Sequence, residues 1–138
     1  MTDTYKLGAT AAVAIALCMS SYSARADDAL KGNVGFSTTK TQVVELGGEI
    51  EGMSGRQLRL RVIKIEPNGH IGIHSHKDRP SVVYFLQGTD TVSFADGSSK
   101  TFMAGDTTAA TKDTTHWHKN AGKEPVLLIA VDVFHNKK

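Results

Sequence analysis

A single cysteine, Cys18, is all the thiol chemistry this 138-residue chain offers. It lies in the N-terminal apolar stretch, so the rest of the chain can form neither an intramolecular disulfide nor a thiolate metal site. Stability must then come from a packed core, and any metal must be held by nitrogen and oxygen. Long apolar runs are equally scarce. The one present, Leu7 to Met19, falls short of the roughly 20 residues that a membrane span needs. Lys6 before it and Ala24-Arg25-Ala26 behind it make it read as a secretory signal over residues 1–26, so a periplasmic or secreted protein without membrane attachment is expected. A surplus of charge is missing too. With 16 Lys and Arg against 14 Asp and Glu, and no basic run studded with aromatics, nothing calls for nucleic acid. Repeats, linkers and low-complexity tracts are absent beyond the signal, which leaves an arm over residues 27–40 and one folded unit over 41–138. No segment of it has the periodicity of a three-turn helix, and no Ser-His-Asp order, phosphate loop or paired-carboxylate spacing is found.

What is present is a succession of short apolar runs divided by turn residues, the pattern of an all-β chain of eight to ten strands, a sandwich or a jelly-roll barrel. Thr41 to Leu46 reads as a first strand. Leu58, Leu60 and Val62 alternate with Arg59 and Arg61, and the apolar phase then slips to Ile63 and Ile65, which predicts a bulge near Val62. Pro67-Asn68-Gly69 predicts a turn, and Lys77-Asp78-Arg79-Pro80 another. Ser81 to Leu86 and Val126 to Phe134 are apolar on both faces and are expected to be covered on both. Between them, Val92 and Phe94, Thr107 to Ala110 and Thr115 to His118 mark further strands.

Four of the six histidines fall in two clusters, His74-Ser75-His76 and His116-Trp117-His118. In a strand, residues i and i+2 share a face, so each pair can point its imidazoles the same way. If His70 to His76 alternates regularly, His70, Gly72, His74 and His76 share one face and Ile71 and Ile73 the other. His70 is then about 13 Å from His74, too far to share an ion. His118 reads first as a pocket wall and second as a further ligand. Tyr84, Phe85 and Trp117 read as core, Asp78 and Arg79 as a solvated turn, and His135 as exposed.

The residues resemble the cupins. His74-x-His76, four residues, Ser81, six residues and Gly88 follow the spacing of the first cupin motif, in which Ser81 takes the place of a glutamate. Gly105, five residues, Thr111, Asp113, His116, three residues and Asn120 follow the second, with Thr111 and Asp113 where proline and glycine are usual. Sixteen residues separate Gly88 from Gly105, as in compact bacterial cupins. The resemblance implies an all-β jelly-roll barrel and a homodimer, with His74, His76 and His116 as metal ligands and Asn120 as a loop stabiliser. Ser81 and His118 are further candidates at the metal. Without the glutamate, three neutral imidazoles leave a divalent ion its full charge and open positions, which favours an anionic or oxygen-rich small molecule. Iron(II) and dioxygen chemistry are the first expectation, with zinc, manganese, nickel or copper as other admissible ions. The alternatives are a non-catalytic binding module, a zinc or manganese lyase or isomerase, or a cupin that has lost its metal and keeps the histidines as barrel lining. In the last case Ser81, Thr91 and Gln87 would have to supply hydrogen bonds to the rings.

Overall fold

The computed structural model describes residues 28–135, so the signal-like segment, Cys18 and the Lys137-Lys138 end lie outside the described residues. Eight antiparallel strands form one nearly closed sheet in the order β5-β4-β7-β2-β8-β3-β6, with β1 added on β2. They are β1 (Asn33–Glu45), β2 (Arg56–Ser75), β3 (Ser81–Gln87), β4 (Thr89–Phe94), β5 (Ser99–Met103), β6 (Thr107–Ala110), β7 (Thr115–Lys119) and β8 (Val126–His135). This is the all-β barrel that the run-and-turn pattern predicts. β5 has only Phe102 buried and lacks a readable alternation.

β2 organises the barrel. From Arg56 to Ile65 it pairs with β8, and from His70 to Ser75 with β7. The changeover occurs at Glu66–Gly69, where the expected turn does not reverse the chain. Instead Asn68 takes φ 63° and the strand bends through a corner while remaining one element. The close packing explains the glycine: a Cβ on Gly69 would stand 2.7 Å from the Val34 carbonyl oxygen and 2.8 Å from that of Glu66. Asn120, fully buried, staples the corner region, donating from Nδ2 to the carbonyls of Ile65 and Glu124 and accepting from the Gly122 N–H. That is the loop role expected of it.

Two readings of faces need correction. The pairing of β2 with β8 is unbroken from Arg56 to Ile65, so no bulge lies at Val62 on that side; the register shift on the other side falls in β1, around Thr39. The slip in apolar phase has a different cause. Arg59, Arg61, Ile63 and Ile65 all face the interior, and Leu58, Leu60 and Val62 face outward, because the two arginines pair with the buried Asp132 of β8. Of the strands apolar on both faces, β3 is covered on one only, with Val82 57% exposed and Tyr84 45%, while the outward residues of β8 are half-buried. β1 also begins well before Thr41. Residues 33–40, rich in Thr, Ser, Gly and Lys, offer only Val34 and Phe36 as apolar side chains, and they are held by backbone pairing with β2 and by Phe36 packing against the core.

The core fills one part of the barrel: Ile63, Ile65, Phe85, Val92, Phe102, Val126, Leu128 and Ala130 are buried together. Phe85 and Phe102 stack with centroids 4.9 Å apart. Each large side chain buried here contributes about 1.5–3 kcal/mol of transfer free energy. Trp117 is buried as well, so of the three aromatics read as core only Tyr84 is on the outside.

Candidate metal centre

His74 of β2 and His116 of β7 are cross-strand partners. His118 lies two residues further along β7, on the same face as His116, and His76 follows the end of β2, with its N–H donated to the Thr114 carbonyl at 2.9 Å. The regular alternation expected from His70 to His76 does not occur, since the β2–β7 register shifts between Ile71 and His74. Ile71 thereby pairs with His118 and lines the same cavity as His74. His70 lies on the far side of the bulge, and its buried Nε2 has no partner among the described residues. The bulge depends on Gly72. The incoming segment before β1 crosses it so closely that a Cβ there would be 2.1 Å from the Gly32 carbonyl oxygen. Asn33 Oδ1 accepts the Gly72 N–H, and the Leu30 carbonyl accepts that of Ile73.

Hydrogen bonds behind the rings fix which nitrogens face inward. Nδ1 of His74 lies 2.9 Å from the Gly72 carbonyl oxygen, and Nδ1 of His76 2.9 Å from that of Arg79. Carbonyls only accept, so both nitrogens carry the ring hydrogen. Nδ1 of His118 likewise donates to Oδ2 of Asp90 at 2.6 Å, Asp90 being fully buried on β4. In the neutral rings of His74 and His76 the Nε2 atoms are then bare lone pairs. Nε2 of His116 is 3.0 Å from Nε2 of His74 and 3.0 Å from Nε2 of His76, and one neutral imidazole has only one hydrogen to give. Lone pairs are left facing one another in a buried setting, which a cation would resolve. The spacing agrees: two nitrogens about 2.1 Å from an ion and at right angles around it stand about 3.0 Å apart.

Ligand atoms of His74, His116 and His118 lie within 4.8 Å of one another, and His76 joins through His116. His118, read first as a pocket wall, thus belongs to a cluster of three histidines able to gather at a divalent ion, and His76 adjoins it. Ser81 is buried, but its hydroxyl is 3.2 Å from Nδ1 of His76, at the back of that ring. Thr91 and Gln87 supply none of the hydrogen bonds described here. The backing comes from Gly72, Arg79 and Asp90, of which only a carboxylate is visible as a residue type in sequence. Asp90 was missed because it reaches His118 from a different strand, sharing the inward face of β4 with Val92, the cross-strand partner of His118.

Burial, and then the neighbouring imidazoles, hold the rings neutral. His74 is lowered to about 4, chiefly by burial and against the help of the Gly72 carbonyl; His116 is lowered to about 2, by burial and then by His118 and His74. His76 shifts the same way, for the same leading reason. All three are lone-pair donors at neutral pH.

A cavity of about 270 Å³ opens on the four imidazoles, and Arg61 and Arg79 line it as well. The solvated turn expected for Arg79 is corrected here, since its side chain is only 24% exposed and stands 3.8 Å from Asp132. Asp132 is gripped first by Arg59, whose Nε and Nη2 reach its two oxygens at 3.0 and 2.8 Å while the guanidinium lies over Phe134. Arg61 adds a third contact at 3.1 Å. Asp78 is exposed and ion-paired to Arg56, and His135 is half-buried with Nδ1 3.2 Å from Asp78 rather than free in solvent.

Among curated proteins no significant relative is found. Solved structures do resemble the fold. A conserved protein with a double-stranded β-helix domain from Klebsiella pneumoniae matches at TM-score 0.57 and 18% identity over 78% of this chain and 81% of its own. A predicted oxalate decarboxylase from Thermotoga maritima matches at 0.51 and 17% over 69% and 92%, and a sugar phosphate isomerase of the cupin superfamily from Silicibacter pomeroyi at 0.51 and 20% over 68% and 59%. Identities this low speak for the fold alone. The sequence pattern of the cupin domain matches residues 61–132, more than half of the chain and all four clustered histidines, and the chain therefore belongs to the cupin family.

Proposed function

We propose that this cupin holds one divalent metal ion through His74, His76, His116 and His118 and uses it on a small oxygen-rich molecule admitted by the cavity. The observation that carries the reading is the meeting of the Nε2 atoms of His74 and His76 on that of His116, with Nδ1 of His74, His76 and His118 each held from behind. The bound ion would supply Lewis-acid polarisation of an oxygen function and, as iron(II), the electrons for dioxygen chemistry. The chain's own contribution is positional. Asp90 holds His118 in one tautomer, as carboxylates behind metal-bound histidines do. Gly72 and Arg79 do the same for His74 and His76 with backbone oxygens, and the apolar lining from Phe36, Ile63, Ile71 and Leu128 limits water around a bound molecule.

Iron(II) is the leading candidate among the ions that imidazole suits, with zinc, manganese, nickel and copper also admissible, and an ion of six-fold coordination would keep positions for a chelating molecule. Elemental analysis of protein purified from its natural compartment is expected to give about one transition metal per chain, lost in His116→Ala. Full retention of that element in the variant would sink the assignment. Oxygen consumption with candidate diketones, phenolics or thiols separates dioxygen chemistry from a lyase or isomerase, which proceeds without it.

The same reading takes the protein as exported and homodimeric. The outward rows Ala109–Val82–Val131–Leu60 and Thr107–Tyr84–Ile129–Val62 run across β6, β3, β8 and β2 as a continuous, mostly apolar face. A second copy of this chain, presenting the same rows, would cover it. Light scattering is expected to give a dimer, and Tyr84→Glu a monomer.

A further inference from the structure

The chemistry of the cavity is not exhausted by its imidazoles. Asp132 is the single carboxylate among three guanidinium groups, Arg59, Arg61 and Arg79. Arg59 takes both of its oxygens in a two-pronged contact, so Arg61 and Arg79 share what is left of one negative charge. Arg61 shows the shortfall at a named atom: its Nε–H is buried and has no acceptor among the described residues. A buried donor of a charged group left unpaired is costly, and the usual resolution is an anion. Both arginines, and not Arg59, line the cavity on which the histidines open.

From this arrangement we infer that Arg61, assisted by Arg79, is an oxyanion-binding subsite: the molecule that enters the cavity is a small organic anion, and one of its carboxylate or phosphate groups is held by the two guanidinium groups that line the cavity. Arg59 is the anchor that keeps Asp132 in place, and Asp132 in turn aligns Arg61. The inference rests on the cavity being the functional site proposed above, but it does not need the metal to be present. Guanidinium groups recognise carboxylate and phosphate alike, so both sources are to be compared.

The test is calorimetric titration of malonate and, separately, of inorganic phosphate into the purified chain, once loaded with zinc and once stripped by chelator, with zinc content measured on the same samples. At least one of the two anions is expected to bind the wild-type protein one to one. Arg61→Gln is expected to weaken it at least tenfold while leaving bound zinc unchanged. Arg61→Lys, which keeps the charge but loses the planar guanidinium fork, is expected to fall at least fivefold short of wild type, and it serves as the second variant should the glutamine form fail to fold. Tighter binding of malonate assigns a carboxylate, and of phosphate a phosphoryl group. Anion binding by a wild-type chain that takes up no zinc would uphold the subsite and defeat the metal reading. Zinc uptake with no heat from either anion would do the reverse, as would variants that bind as tightly as wild type.

Discussion

The wall of the cavity built by β7 and the end of β2 and the wall built by β8 and the start of β2 carry opposite electrostatic problems. The first gathers neutral imidazoles whose lone pairs face each other for want of a positive charge. At the second, Arg61 in the lining, Arg59 behind it and Arg79 from the turn after β2 outnumber the carboxylate of Asp132. Both lie at the edge of a core that has no such imbalance, where Phe85 and Phe102 stack among aliphatic side chains. A barrel interior that satisfies itself at one end and leaves complementary deficits at the other is what the proposed binding of a cation and an anion would complete. Burial acts on the two walls differently, too. It strips the imidazoles of their proton, which makes them ligands, but guanidinium basicity is too high for the same burial to neutralise Arg61 or Arg79.

The largest effect should come from taking the centre out of the imidazole wall. His116 approaches both His74 and His76 at 3.0 Å, and its removal should lower cation affinity by more than about a hundredfold, well beyond the 10- to 100-fold typical for a residue that only backs a ligand. Competition against a chromophoric chelator measures it. A loss under tenfold would mean that the remaining rings hold the ion unaided. Asp132→Ala strikes the other wall. It leaves Arg59, Arg61 and Arg79 without their shared counter-charge and should cost about 3–5 kcal/mol in urea unfolding. Unlike His116→Ala, it should act on stability even in chelator-treated protein.

Asp90→Asn sharpens the contrast, since Asp90 backs a ligand and is not one. Its side chain can still fill the space, but it no longer holds the His118 hydrogen on Nδ1 by charge. Metal affinity should fall about 10- to 100-fold. Stability without metal should change far less than in Asp132→Ala, and an equal loss in both variants would mark Asp90 as a structural carboxylate only.

How the two walls could be read in the sequence differs in the same way. The histidine wall was legible because its spacing, His74-x-His76 and His116-x-His118, is local to two strands. The fold class was legible for the same reason, in runs and turn residues. The arginine wall was not. Arg59 and Arg61 alternate with Leu58, Leu60 and Val62, and pattern reasoning sends the apolar set inward. A carboxylate more than seventy residues away, Asp132, reverses that choice, and an apolar outer face makes the reversal tolerable. Bulges were misplaced because they depend on partners: the one at Ile71 to His74 exists where the chain before β1 crosses Gly72, a contact no local pattern contains.

Acid should separate the walls without mutation. His74 binds its proton at about 4 in the folded chain against about 6.5 in the unfolded one. Between those values the unfolded chain takes up protons that the folded one does not, so stability is complete above about pH 6.5 and declines as pH falls through that window. His116, at about 2, extends the decline further. Zinc should raise stability at neutral pH and steepen the slope, because protons and cation compete for the same nitrogens. Urea midpoints from about pH 7 to 4.5, with and without zinc, check both, and a flat profile would show that the rings are not held neutral.

The smallest change expected is at the residue that stands where a glutamate is usual. Ser81→Ala removes a hydroxyl 3.2 Å from Nδ1 of His76, while the Arg79 carbonyl at 2.9 Å remains as the stronger acceptor for that hydrogen. The lost hydrogen bond is worth about 0.5–1.5 kcal/mol at most, so zinc affinity should fall less than tenfold. Because the hydroxyl addresses the back of the ring, the loss should vanish in a His76→Ala background, where there is no ring to steady. An additive loss in the double variant would instead place Ser81 at the ion, and would shift the boundary between the two walls from the back of His76 to its front.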